Sequence, residues 1–119
     1  MNISLFNHAD NLQTFKAGET IFQEGEPGHV MYGVVEGEVE ISVHGRAVEV
    51  VEPEGIIGEM ALIDPGQPRS AKVVAKTDCK LAPIDEKRFQ FLVQQTPYFS
   101  LRVMRIMADR LRRIHDLIS

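Results

Sequence analysis

From Phe15 to about Ala82 the chain is a succession of short β-rich runs broken by glycine or proline, and this punctuation constrains its fold more than any other feature. Runs of this kind suggest a meandering all-β body. Thr20-Ile21-Phe22 is one such run, followed by the turn-forming Glu24-Gly25-Glu26-Pro27-Gly28, where a hairpin-like reversal is expected. Val30-Met31-Tyr32-Gly33-Val34-Val35 is the next, leading through Glu36-Gly37 into Val39-Glu40-Ile41-Ser42-Val43. There Val39, Ile41 and Val43 alternate with polar residues, so one strand face is buried. His44-Gly45-Arg46 makes a turn before Ala47-Val48-Glu49-Val50-Val51, which Pro53 and Gly55 interrupt. Lys72-Val73-Val74-Ala75 and Cys79-Lys80-Leu81-Ala82 supply the last two strands.

The pattern changes after Pro83. Asp85 can cap a helix in which Phe89, Leu92 and Val93 share a face, and Pro97 should end it. A second helix is predicted from about Tyr98, with Leu101, Met104, Ala108, Leu111, His115 and Ile118 alternately three and four apart, as in a heptad seam. Val103, Ile106, Met107, Ile114 and Leu117 widen its apolar surface. Such a helix can lie on the β-body with one side and offer the other to a second copy or a ligand; a single broad core-facing stripe is the alternative.

At 119 residues the expectation is one domain, 1–119, with a β-body over about 12–83 and C-terminal helices over about 85–118. Hydrophobic residues make up 44% and charged residues 25%, an ordinary globular balance that excludes a disordered tail. The net charge of −4 argues against nucleic-acid binding over the whole surface. Cys79 is the single cysteine, so no intrachain disulfide can form. Met1 to Asp10 contains neither a basic leader nor a long apolar run, and no segment has the roughly 18 uninterrupted apolar residues of a spanning helix. A cytoplasmic protein without membrane contact is expected. His8, His29 and His44 are scattered, with no cysteine or histidine at metal-ligand spacing, so no metal and no cofactor is expected. Cys79 in a predicted strand reads as a buried, inert thiol.

The candidate chemistry lies between Gly55 and Ala71, Gly-Ile-Ile-Gly-Glu-Met-Ala-Leu-Ile-Asp-Pro-Gly-Gln-Pro-Arg-Ser-Ala, which reads unlike a strand. Gly58 lets backbone N–H groups approach an anion, a short helical turn beginning near Glu59 would aim more of them at it, and Arg69 can pair with a phosphate through two donors. Glu59 would repel a phosphate and suits sugar hydroxyls instead, with Arg69 partly neutralising it. A sugar phosphate follows; a surface ion pair between Glu59 and Arg69 is the alternative.

Gly58-Glu59-Met60-Ala61-Leu62 joined to Pro68-Arg69-Ser70-Ala71 resembles the phosphate-binding cassette of the cyclic-nucleotide-binding domains, as in catabolite activator proteins and kinase regulatory subunits. Gly18-Glu19-Thr20-Ile21-Phe22, Glu24-Gly25-Glu26-Pro27-Gly28 and Glu36-Gly37-Glu38-Val39 resemble the glycine pattern of that family's β-roll, so the similarity covers most of the chain. The resemblance implies a mainly β fold with flanking helices, a double-stranded β-helix (jelly-roll) followed by C-terminal helices. It also implies a non-enzymatic regulatory module in which Glu59 accepts from a ribose 2′-hydroxyl and Arg69 binds a cyclic phosphate. The backbone at Gly58, Met60 and Ala61 would complete the cradle, and Ser70 would add a hydroxyl near phosphate or base. Serine rather than threonine at position 70 favours cAMP over cGMP on the same grounds.

Two departures from the family pattern stand out: Ile56-Ile57 where an aromatic is frequent, and Ile114 and His115 where relatives of the bacterial activator place hydroxyl residues against the base. His115 could meet a purine, but packing or exposure is the plainer reading. Arg102, Arg105, Arg110, Arg112 and Arg113 read as a solvated helix face rather than a nucleic-acid contact. The expected partners are a small cyclic nucleotide, a homodimer partner through the last helix and a downstream protein, without an attached DNA-reading domain. Two other readings are a ligand-independent dimerisation module on the same fold and a metal-dependent enzyme on a cupin-like barrel, which would need clustered histidines.

Overall fold

The computed structural model describes residues 11–118. The reading of Met1 to Asp10, His8 included, and the seam position of the Ile118 side chain lie outside the described residues. Among the described residues eight strands and three helices follow one another: β1 Gln13–Phe15, β2 Thr20–Phe22, β3 Met31–Glu36, β4 Val39–Val43, β5 Arg46–Val51, β6 Ile56–Ile57, α1 Met60–Ile63, β7 Lys72–Ala75, β8 Cys79–Ile84, α2 Glu86–Gln95 and α3 Tyr98–Ile118. The strands form two antiparallel four-stranded sheets, ordered β1-β8-β3-β6 and β2-β7-β4-β5. This is the mainly β roll with C-terminal helices expected from the strand punctuation and the resemblance.

The two-residue turn between β4 and β5 shows why the hairpin forms there. Val43 pairs with Arg46, and the intervening His44 and Gly45 both take positive φ, 52° and 78°. That combination matches the right-handed twist of the flanking strands. The His44 amide donates to Glu24 Oε1 at 3.0 Å, which ties this unusual histidine backbone down. Glu24 to Gly28, by contrast, is not a hairpin. β2 pairs with β7 and β3 with β8 and β6, so this segment crosses between sheets. It pairs instead with the candidate cassette, Gly25 N to Arg69 O at 2.8 Å and Arg69 N to Glu26 O at 2.7 Å.

Strand alternation on β3 and β8 generates two cores. Val34 and Leu81 point between the sheets with Phe22, Val39, Ile41, Val51, Ile57 and Val73. Met31, Ala82 and Ile84 point to the other face, where Leu92, Phe99 and Val103 of α2 and α3 cover them. Asp85 caps α2, accepting from Arg88 N at 2.8 Å, and Leu92 of that helix is buried. The side of α3 carrying Val103, Ile106 and Met107 packs on the roll, whereas Leu101, Met104 and Leu111 remain exposed.

Candidate functional site

A cavity of about 370 Å³ lies between the second sheet, the segment Gly58 to Ala71 and the later turns of α3. Gly58, Glu59, Met60, Ala61, Arg69 and Ser70 all line it. The sequence therefore brings its six candidates to one place, and the alternative of a surface ion pair fails because Glu59 and Arg69 are 7% and 8% exposed.

Arg69 lies in a slot built from two glycines and an aromatic ring. Its Cζ sits 4.0 Å from the centroid of Phe22, which in turn stacks on Tyr32. A side chain on Gly28 would run into Arg69 Nε and Cζ. One on Gly58 would lie 2.7 Å from Arg69 Nη1, and Gly58 also holds φ +72°, a left-handed conformation natural to glycine. Nη1 donates to Gly58 O at 3.3 Å, while Nε is buried with no partner among the described residues. Burial lowers the guanidinium pKa from its ordinary value, opposed by electrostatic interaction with Tyr32, Glu26 and Glu59. A buried guanidinium with an unsatisfied donor has the chemistry to receive an anion.

Glu59 is held differently from the expectation. Its ion pair is with Arg110 rather than Arg69: Arg110 Nη1 donates to Glu59 Oε1 at 2.6 Å and Nε to Glu49 Oε1 at 2.9 Å. The same guanidinium donates through Nη2 to Ile56 O. The three side chains are 9–12% exposed, and Arg113 Nη1 approaches Glu49 Oε2 at 3.4 Å from the rim. Arg110 thus does not belong to the solvated face that the arginine-rich helix suggests. Arg102, too, bonds to Glu54, through the backbone carbonyl and the carboxylate, so two arginines fasten α3 to the segment around β6.

Arg110, Glu49, Phe22 and Gly28 were missed as site residues. A signal for Arg110 is present in the sequence: Val103, Met107, Arg110 and Ile114 follow the spacing i, i+4, i+7, i+11, placing a charge in an inward stripe. Glu49 is hidden by a β-bulge, since Ile41 pairs with Glu49 but Ser42 with Ala47, so simple alternation breaks at Val48. Ile114 lines the cavity and His115, exposed, does not. Ile56 and Ile57, where an aromatic is frequent in the family pattern, are fully buried.

Five charged side chains line the cavity, three guanidiniums (Arg69, Arg110, Arg113) against two carboxylates (Glu49, Glu59), a net charge of +1. The rest of the wall is mainly apolar, with Ile41, Val43, Val48, Val73, Leu111 and Ile114. An apolar cleft with a few convergent charges suits a small anionic ligand with a flat hydrophobic part. Among the described residues no group of three or more His, Cys, Asp or Glu side chains could hold a metal ion. No helix among them is long and apolar enough to cross a membrane.

Comparison with known proteins agrees with this geometry. The Pycsar effector protein XpPycTIR of Xanthomonas perforans is 32% identical over 103 residues, 87% of this chain and 34% of its own length. The CRP-like cAMP-activated global transcriptional regulator of Mycobacterium tuberculosis is 31% identical over 110 residues, 88% of this chain and 49% of its own. The chain therefore spans half or less of the length of these relatives. Among solved structures, the catabolite activator protein of Thermus thermophilus superposes with a TM-score of 0.76 at 26% identity, covering 91% of this chain and 53% of that one. The family described as cyclic nucleotide-binding domain matches residues 12–96, which takes in the whole β-roll, the Arg69 slot and α2. With its roll, its buried cation and most of its length accounted for in this way, the chain belongs to the cyclic nucleotide-binding domain family.

Proposed function

We propose that the chain is a regulatory, non-enzymatic module that binds cAMP in this cavity and passes the binding event on through α3. The observation that carries the reading is the buried Arg69 guanidinium, its Nε unpartnered among the described residues, in the wall of a cavity whose charged groups sum to +1. A cyclic phosphodiester carries one negative charge and matches that sum, whereas a linear monophosphate is close to dianionic at neutral pH. The phosphate sits on Arg69 with the backbone of Gly58, Met60 and Ala61, the ribose 2′-hydroxyl on Glu59, and the Ser70 hydroxyl near phosphate or base. Adenine is the base favoured by Ser70 and by the cAMP-activated relative.

Signal output follows from differential binding. Arg110 links α3 to Glu59, so a ribose hydroxyl donating to Glu59 acts on the same carboxylate that holds the helix. A ligand that binds one helix position better than another shifts the population by that difference and no more. The exposed Leu101, Met104, Ala108 and Leu111 support a homodimer through α3, and a downstream protein or domain reads the change. A cytoplasmic setting, without nucleic-acid contact by this module, fits the charge and the single buried thiol.

One observation favours a second reading. Glu59 already has an arginine partner, so its buried carboxylate is satisfied without a ligand, as it would be in a ligand-independent dimerisation module. Calorimetric titration with cAMP, cGMP and 5′-AMP, with mass measured by sedimentation before and after, separates the two. The sensor binds cAMP most tightly and 5′-AMP at least tenfold more weakly, the order of one lost charge match. Absence of heat with all three, alongside a stable dimer, overturns it in favour of the scaffold. Glu59→Gln should weaken cAMP less than Arg69→Ala, because an amide still offers one acceptor. The reverse order means a different pose.

A further inference from the structure

Glu49 is the one charged group of the cavity interior that the reading above leaves without a task. It lines the cavity, its side chain is 12% exposed, and its two oxygens are treated unequally. Oε1 accepts from the inner Arg110 at 2.9 Å, whereas among the described residues the ion pair at Oε2 is with Arg113, at 3.4 Å and with that side chain 56% exposed. Arg110 reaches Glu59 through Nη1 and Glu49 through Nε, so Glu49 lies one guanidinium beyond the carboxylate assigned to the ribose. With the phosphate at Arg69 and the sugar at Glu59, what extends past the sugar toward Glu49 is the base. The surrounding wall is Val43, Val48, Leu111 and Ile114, which can sandwich a ring but cannot read its edge.

We propose that Glu49 is a specificity-determining residue, whose Oε2 accepts a hydrogen bond from an exocyclic amino group of the base and thereby rejects the keto isostere. The inference rests on cyclic-nucleotide binding as read above. A carboxylate is an acceptor only, so an amino group adds a charge-assisted bond while a carbonyl oxygen at the same place meets like partial charge. Arg113 does not undo this choice. It is tied to Glu49, and a carbonyl could take its donor only by breaking that ion pair beside the carboxylate.

Cyclic AMP and cyclic IMP make the test, because they differ at the 6-position in this respect, amino against keto. The unaltered protein should bind cAMP at least tenfold more tightly than cIMP, the scale expected when a built acceptor loses its donor. In Glu49→Gln the side-chain amide can turn to donate, and the preference should shrink to about threefold or less. Arg113→Gln, which leaves the carboxylate in place, should keep the preference. Equal binding of cAMP and cIMP by the unaltered protein overturns the proposal without recourse to any variant. So does a tenfold preference that Glu49→Gln leaves intact, or an equal loss for both nucleotides, which would put Glu49 on the sugar. If neither nucleotide nor cGMP binds, the ligand reading itself fails and this inference with it.

Discussion

Replacing Arg69 by alanine separates ligand binding from folding more cleanly than any other change. In the free protein the guanidinium contributes little: one long bond to Gly58 O at 3.3 Å and a cation–π contact with Phe22, worth about 0.5–2 kcal/mol, against the burial of a charge with an unpartnered Nε. These oppose one another, so Arg69→Ala should move the unfolding free energy by only about 1 kcal/mol in either direction. Ligand binding is another matter. A phosphate taken by two N–H donors forms two charge-assisted bonds of about 1.5–3 kcal/mol each, so the variant should lose about 3 kcal/mol or more, a factor of roughly 100 in Kd. Arg69→Lys keeps the charge but not the fork and should fall between. Calorimetry with cAMP gives the affinity and urea unfolding the stability, both at one ionic strength. Binding within threefold of the unaltered protein, with the fold intact, refutes the phosphate role; a collapse in stability as large as the loss in affinity refutes the argument that the slot is independent of folding.

Three further outcomes follow from the same contacts. Gly28→Ala should leave the backbone unstrained, since Gly28 is not among the positive-φ glycines, but push Arg69 out of its slot; cAMP affinity should drop by about tenfold while the melting temperature stays within a few degrees. Phe99→Ala removes the ring of a residue only 1% exposed, its centroid 5.6 Å from that of Phe89, and urea denaturation should show a loss of about 3–5 kcal/mol. Burial, with Asp78 and Glu19 adding to it, raises the Cys79 thiol above its ordinary pKa, so a disulfide reagent should label it slowly in the native protein and at once in denaturant. Because the folded pKa is the higher one, the neutral thiol's share of stability is complete below the unfolded value and fades as pH rises through the folded one.

Local rules carried far. Glycine and proline positions, period-two alternation in β4, the Asp85 cap and the three-four spacing in α3 are properties of short windows, and the elements follow them closely. Gly58-Glu59-Met60-Ala61 and Arg69-Ser70 could be picked out for the same reason, since a cassette that is contiguous apart from one loop keeps its residue types at a fixed separation.

Pairings between distant segments are what tertiary structure alone decided. Glu24 to Gly28 looks locally like a hairpin turn, yet crosses between sheets because β2 finds its partner in β7 and the turn finds Arg69. Glu59 was assigned to the nearest cation in sequence, Arg69, but bonds to one 51 positions away. That choice depends on where α3 crosses the roll, which is set by the packing of Val103, Ile106 and Met107 on Ile56 and Ile84. Electrostatic attraction acts through space and burial strengthens it, so which carboxylate an arginine meets is settled by the packing of apolar surfaces and not by any local spacing.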